Sequence, residues 1–372
     1  MTIELSTIAF TDENDIVPVF GVEQIFNTGI ANTFSGNDAI TGTGDSFSTV
    51  LPFNGYPEGW PGLIPGIYND IGGTINTGDE DDTITGISYG REGIIPDDYG
   101  DYGDGITNRG TIDTGNGNDI ITGIGQGPKG VVGISSWEGD DSIINTGDGN
   151  DTIIGTATFV GINLAFSTLN TGEGNDIIAG TGGTIGLGNY DTTFNTGDGN
   201  DTITGHCNEY GVGIYNAGFI NTGDGNDVIN GIHGGLILAG IQNADGIINT
   251  GNGDDIITTS GLLDNYGTID TGDGNDSIIT EGGFVSTWGL GNMFLGEGDD
   301  YIKGFGTGDF YGGNGNDTLE LTPGTYTVGI WDRVTFSKGN SLMLASEFEK
   351  LKAGSTIYDF TSLTAGQIIV VT

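Results

Sequence analysis

Short apolar runs alternate with Thr, Asn and Gly along almost the whole chain. In Thr83-Ile84-Thr85-Gly86, and in Thr202-Ile203-Thr204-Gly205, an isoleucine falls between small or polar neighbours. This period of two is that of half-buried strands. No stretch shows helical periodicity before Ser346–Lys352, where a short helix is expected.

One twelve-residue phrase carries the pattern. It reads INTGDEDDTITG from Ile75, IDTGNGNDIITG from Ile112, INTGDGNDTIIG from Ile144 and LNTGEGNDIIAG from Leu169. It returns from Phe194, Ile220, Ile248 and Ile269, with weaker copies from Met293 and Phe310 and a degenerate one ending near Asp38. The closing acids are Asp38, Asp82, Asp119, Asp151, Asp176, Asp201, Asp227, Asp255, Asp276, Asp300 and Asp317, separated by 44, 37, 32, 25, 25, 26, 28, 21, 24 and 17 residues. About 25 residues is too long for a hairpin and suits one coil of a solenoid. A second phrase precedes many of these acids, as in Gly66-Ile67-Tyr68-Asn69 and Gly213-Ile214-Tyr215-Asn216. The fold expected is all-β: a parallel β-helix of about 11 coils, each roughly 4.8 Å from the next, right-handed as parallel crossovers are.

Three segments follow: 1–25 as an N-terminal cap or donated strand, 26–321 as the repeat, and 322–372 as a C-terminal β cap. The longest insertions, 51–66 and 87–105, carry Tyr56, Trp60, Tyr89, Tyr99 and Tyr102. Such aromatics could contact a partner or a glycan, or simply decorate the solenoid.

Composition raises a difficulty that the pattern alone does not. Fifty-one acids face 8 bases, a formal charge of −43, in a chain with 74 glycines. No Lys or Arg lies between Lys129 and Lys303. That excludes nucleic acid as a partner, since no basic patch exists to replace phosphate counterions. At about 4.8 Å, two carboxylates repel by roughly 0.9 kcal/mol in water and 3.5 at an effective dielectric of 20. Ten neighbouring pairs would cost on the order of 9 to 35 kcal/mol, against a typical folding stability of about 5 to 15. A bound cation resolves this. Calcium takes six to eight oxygens, and T-G-x-G-N-D supplies turn carbonyls and a carboxylate. The competing structural reading is a stack of Asx turns without metal.

Gly312-Gly313-Asn314-Gly315-Asn316-Asp317-Thr318-Leu319-Glu320 resembles the RTX (haemolysin-type) nonapeptide G-G-x-G-x-D-x-U-x at every fixed position. The other copies resemble it with Thr in place of the first Gly. The resemblance implies calcium held between stacked turns by Asp82, Asp119, Asp151, Asp176, Asp201, Asp227, Asp255, Asp276, Asp300 and Asp317. It also implies the turn glycines Gly147, Gly149, Gly172, Gly174, Gly197, Gly199, Gly223, Gly225, Gly272, Gly274, Gly313 and Gly315. Two departures stand out. The motif comes once per coil instead of every nine residues, which implies a calcium row on one edge only, and Glu80 replaces the second glycine of its copy. The region from Gly324 resembles the tail of cyanobacterial RTX-type proteins, which implies a type I secretion signal.

The function expected is a secreted, calcium-binding structural or surface protein (surface layer, filament subunit or adhesin) that is not an enzyme. It would self-associate into filaments or layers, or contact a cell surface. Residues 1–20 have no basic n-region or long apolar core, so export without an N-terminal signal peptide is expected, and no segment suits a membrane-spanning helix. One alternative is a polysaccharide lyase, hydrolase or epimerase, for which His206, Cys207 and His233 are a thin starting point. Another is ice binding through a Thr-x-Thr array, met by Thr83 and Thr85 and by Thr202 and Thr204 but broken in the coils between.

Overall fold

The computed structural model describes residues 2–17, 23–44, 65–89, 103–127, 131–137, 139, 141–235 and 239–372. Among them there is no α-helix, only 3-10 turns at Leu5–Thr7 and Phe360–Ser362. Each coil contributes one strand to each of three sheets, and successive coils pair in parallel. The chain is a parallel β-helix. Among the described residues the first sheet has 11 strands, from Thr2–Glu4 to Gly283–Val285. The third holds the short strands that enter the motif, such as Thr168–Asn170, and the second holds those that leave it, such as Thr152–Ala157.

Register follows the sequence phrases. Ile121 stands beside Ile84 and Ile153, and Ile153 beside Ile178. The inward positions therefore form continuous columns: Ile75, Ile112, Ile144, Leu169, Phe194 and Ile220 on the third sheet, Ile84 to Ile302 on the second, Ile67 to Leu263 on the first, all essentially inaccessible. Burying such a side chain stabilises by about 1.5–3 kcal/mol, and the column repeats this in every coil.

Glycine explains how closely two of the sheets approach. A Cβ on Gly155 of the second sheet would collide with the Gly161 carbonyl of the first, and one on Gly205 would collide with the Gly213 carbonyl. Here backbone meets backbone, which is why the second phrase opens on glycine.

Asparagine closes the corner between the first and third sheets. Asn27 donates to Asn69 and Asn69 to Asn108; further on, Asn189 donates to Asn216, Asn216 to Asn243 and Asn243 to Asn265, each at 2.8 Å. These side chains are buried, and pairing between coils replaces the water they lose.

The two ends are built differently from the interior. Thr2–Glu4 pairs with Gln24–Phe26, and Ile16–Val17 with Ala39–Ile40, so residues before 26 add a coil within their own chain. At the other end the predicted helix at Ser346–Lys352 is absent. Ser341–Ser346 extends the third sheet in parallel from Gly308–Tyr311, and Lys350–Ala353 extends the second from Thr318–Leu321. The alternation Phe348, Leu351, Ala353 fits both patterns over so short a span, and strand pairing wins. Antiparallel strands then finish the stack. Phe336, Phe348 and Phe360 pack together over this end.

Candidate metal-binding ladder

Between the third and second sheets each coil turns through the T-G-x-G-N-D phrase. The first turn glycine of each copy has a positive φ: 80° at Gly147, 84° at Gly172, 85° at Gly197, 87° at Gly223, 88° at Gly272 and 102° at Gly313. The second has φ between 146° and 152° at Gly149, Gly174, Gly199, Gly225, Gly274 and Gly315. Residues with a Cβ rarely adopt these angles. Stacking adds a second demand, because a Cβ on Gly149 would overlap the Gly117 carbonyl oxygen and one on Gly174 the Gly149 carbonyl oxygen. Glu80, where the phrase lacks its glycine, is forced to φ 85° and uses its carboxylate to accept the Gly36 amide at 2.6 Å.

The closing aspartates form one column. Asp82, Asp119, Asp151, Asp176, Asp201, Asp227, Asp255, Asp276, Asp300 and Asp317 are all at most 2% exposed, and Asp38 stands with them. In each, Oδ1 accepts the backbone N–H of the preceding aspartate. Asp119 donates to Asp151 at 2.8 Å, Asp151 to Asp176 at 2.7 Å and Asp201 to Asp227 at 2.7 Å. In all eleven, the buried Oδ2 has no hydrogen-bond partner. A buried carboxylate oxygen without a partner is costly once, and here it recurs in every coil.

Burial pushes the carboxyls of Asp82, Asp151, Asp227 and Asp276 up to about 7, opposed by the nearby hydroxyls of Thr77, Thr146, Thr222 and Thr271 and by the amide each accepts, and helped by the neighbouring aspartates of the column. Those of Asp119, Asp176, Asp255, Asp300 and Asp317 are pushed up to about 6, again chiefly by burial. A cation beside Oδ2 would reverse that preference. The donor set fits calcium: hard oxygens only, from carboxylates and turn carbonyls. Among the described residues no three His, Cys, Asp or Glu side chains cluster as a metal site.

Each turn bears two further rows on its outer side. Asn150 donates to Asn118 and Asn175 to Asn150, both at 3.0 Å, while Asn170 donates to Asn145 and Asn195 to Asn170, both at 2.8 Å. Such ladders fix the coil-to-coil register of the turn with no ion at all.

The residues weighed for catalysis fall on two faces of the second sheet, His206 on one and Cys207 with His233 on the other. His206 stands on the outer face of the second sheet beside Thr181 and Ile232. Cys207 is buried, with its thiol on the Gly183 carbonyl. His233 lies in register with Cys207. Of the insertion aromatics, Tyr89 is exposed, whereas Tyr56, Trp60, Tyr99 and Tyr102 lie outside the described residues.

One ladder member escaped the repeat. Asp15 donates its amide to Asp38 Oδ1 at 2.6 Å and so begins the column. The only signal is Asn14-Asp15 after Thr11-Asp12-Glu13, a run one residue shorter than T-G-x-G-N-D and without either glycine.

No family model and no curated protein matches the chain. Among solved structures it is similar to a hyperactive, Ca2+-dependent, β-helical antifreeze protein from an Antarctic bacterium, at 19% identity and a TM-score of 0.53. The match covers 98% of this chain and 95% of that one. At this identity the similarity establishes the architecture alone: the chain is a parallel β-helix.

Proposed function

We propose that this chain is a calcium-loaded, exported β-helix with a structural or surface role and no catalytic activity. One observation carries the reading: eleven buried aspartates in a single column, each with Oδ1 satisfied and Oδ2 without a partner. The carboxylates and the carbonyls of glycines such as Gly147 and Gly149 would hold the ions. Bound calcium supplies charge neutralisation and cross-links between coils. The chain's own part is to keep the oxygens in register and out of water. Many modest sites suit an extracellular setting, where calcium-binding modules work at about 10⁻⁴–10⁻³ M. The calcium dependence of the similar antifreeze protein supports the same reading.

The test is far-UV circular dichroism in chelator and in millimolar calcium. β signal that is weak in chelator and restored by calcium is expected, because an ion that binds only the folded state stabilises it. A fully folded, heat-stable chain in excess chelator would sink the reading.

A second reading, ice binding, is favoured by the outer face of the second sheet. From Ala39 to Ile279 its outward side chains are Thr, Ile, Val, Ala, Ser, Asn and one His, in register across nine coils. Ile120, Ile177 and Ile256 lie exposed on it. A flat, regular, uncharged face on so acidic a protein invites a flat, ordered ligand, and the similar structure is that of an antifreeze protein. Freezing-point hysteresis of the calcium-loaded chain decides: a clear gap assigns the face to ice, and none leaves the surface role.

A further inference from the structure

The aspartate column does not end with the last repeat. The Asp317 amide donates to the Glu349 carboxylate at 2.7 Å, as each earlier aspartate donates to the next. Strand register makes the correspondence strict. Tyr311 pairs with Ser346 and Thr318 with Lys350. Between those pairs the last motif turn spends six residues, Gly312 to Asp317, and the cap only three, Glu347 to Glu349. Glu347 nonetheless keeps a left-handed φ of 61°, in the place where the motif turns on glycine. Glu349 precedes the strand as every motif aspartate does, and its extra methylene offsets the shortened turn.

The oxygens at this end are arranged unlike those of the interior. In earlier coils the motif threonine donates its hydroxyl to the carbonyl of the next threonine, as Thr33 does to Thr77 at 2.7 Å and Thr250 to Thr271 at 3.1 Å. The last two copies have Leu295 and Gly312 instead, so the motif supplies no hydroxyl at this end, and it is Gly312 that faces the corresponding Glu347 carbonyl. That carbonyl and Asp317 Oδ2 converge on the open flank of Gly312: a Cβ there would collide with the first and lie 2.8 Å from the second. Asp317 is fully buried and Oδ2 is without a partner. The charges nearest to it, Glu349, Asp299 and Glu347, are all negative.

We infer that the cap completes a terminal divalent-cation site, built from Asp317, the Glu347 carbonyl and the Glu349 carboxylate. It closes the row of ions where the repeat stops, and Glu349 is the non-repeat residue that makes it. This rests on the calcium reading above, so the experiment must separate the two. Bound calcium per chain is counted by equilibrium dialysis and elemental analysis for the full chain, Glu349→Gln and Glu347→Gln. The Glu349→Gln change keeps an oxygen for the Asp317 amide and removes only the charge. Circular dichroism confirms that each variant is folded. The expected result is one ion fewer in Glu349→Gln and an unchanged count in Glu347→Gln, whose backbone carbonyl remains. Equal counts and affinities for the full chain and Glu349→Gln would overturn the terminal site while leaving the row intact. No bound calcium in the full chain would overturn both.

Discussion

Asp151→Asn separates a metal column from a purely structural one, because it acts in opposite directions with and without the ion. Asparagine keeps an Oδ1 to accept the Asp119 amide, now made at 2.8 Å, so the ladder bond survives. What changes is the charge on a residue that is 1% exposed, and the atom at the position of the unpartnered Oδ2. In the metal-free chain, burial lifts this carboxyl from 3.8 to about 7. The folded state therefore holds a proton that the unfolded chain has released. The stability this group contributes is present at about pH 4 and lost as the pH rises to about 7. At about 1.36 kcal/mol per unit, the loss at pH 8 is on the order of 4 kcal/mol. Removing the charge should recover much of it, so in chelator at about pH 8 Asp151→Asn should unfold at higher urea than the parent. At about pH 4, where the parent aspartate is already protonated, the gain should vanish. In calcium at about pH 8 the order should invert, since the ion takes the proton's place and the variant weakens the sites on both sides of its coil. The assay is urea unfolding followed by far-UV circular dichroism, comparing midpoints, since a stack of coils need not unfold in two states. If Asp151→Asn lowers the midpoint equally in chelator and in calcium, the carboxylate is only a hydrogen-bond acceptor and the electrostatic argument fails.

Two other substitutions test the frame that holds the column. Gly149→Ala should cost about 3 kcal/mol or more, from a disfavoured φ of 150° and overlap with the Gly117 carbonyl. Gly72→Ala, at φ 75° with open space around it, should cost only about 1–2 kcal/mol, and equal losses in denaturation would refute the steric argument. Asn216→Ala takes one of two acceptors from the Asn189 amide, which keeps the Phe219 carbonyl, and removes the Asn216 donor from the Asn243 oxygen, so a loss of about 2 kcal/mol is expected; an unchanged melting temperature would show that water enters that corner.

The β-helix was legible because each coil repeats its inward residue, its turn and its acid, so one reading was tested again and again along the chain. Motif copies from Asp82 to Asp317 fall in one column because the phrase around them never changes length, whatever the insertion between. The ends were harder. Asp15 belongs to the column without the glycines that mark the motif, held by pairing to Ala39–Ile40 that no local pattern announces. Glu349 sits in a turn half as long, and its neighbours Phe348 and Leu351 also suited a helix. The inter-coil bonds of Asn69 and Asn216 are invisible in the sequence as bonds, although both residues close copies of the second phrase. A periodic sequence shows which residues are equivalent, but not what equivalent residues do to one another across a coil.

Because each interior coil touches only the coil before and the coil after, copy number behaves as a free variable. Asp151, Asp176 and Asp201 are 25 residues apart, and Thr152, Ile177 and Thr202 occupy equivalent places in their strands. Excising residues 152–176 would join one coil to the next but one with the same phrase at the seam. The molecule would shorten by about 4.8 Å, and both ends would be unaware of the change. Length in such a protein is adjustable one coil at a time without redesigning either terminus.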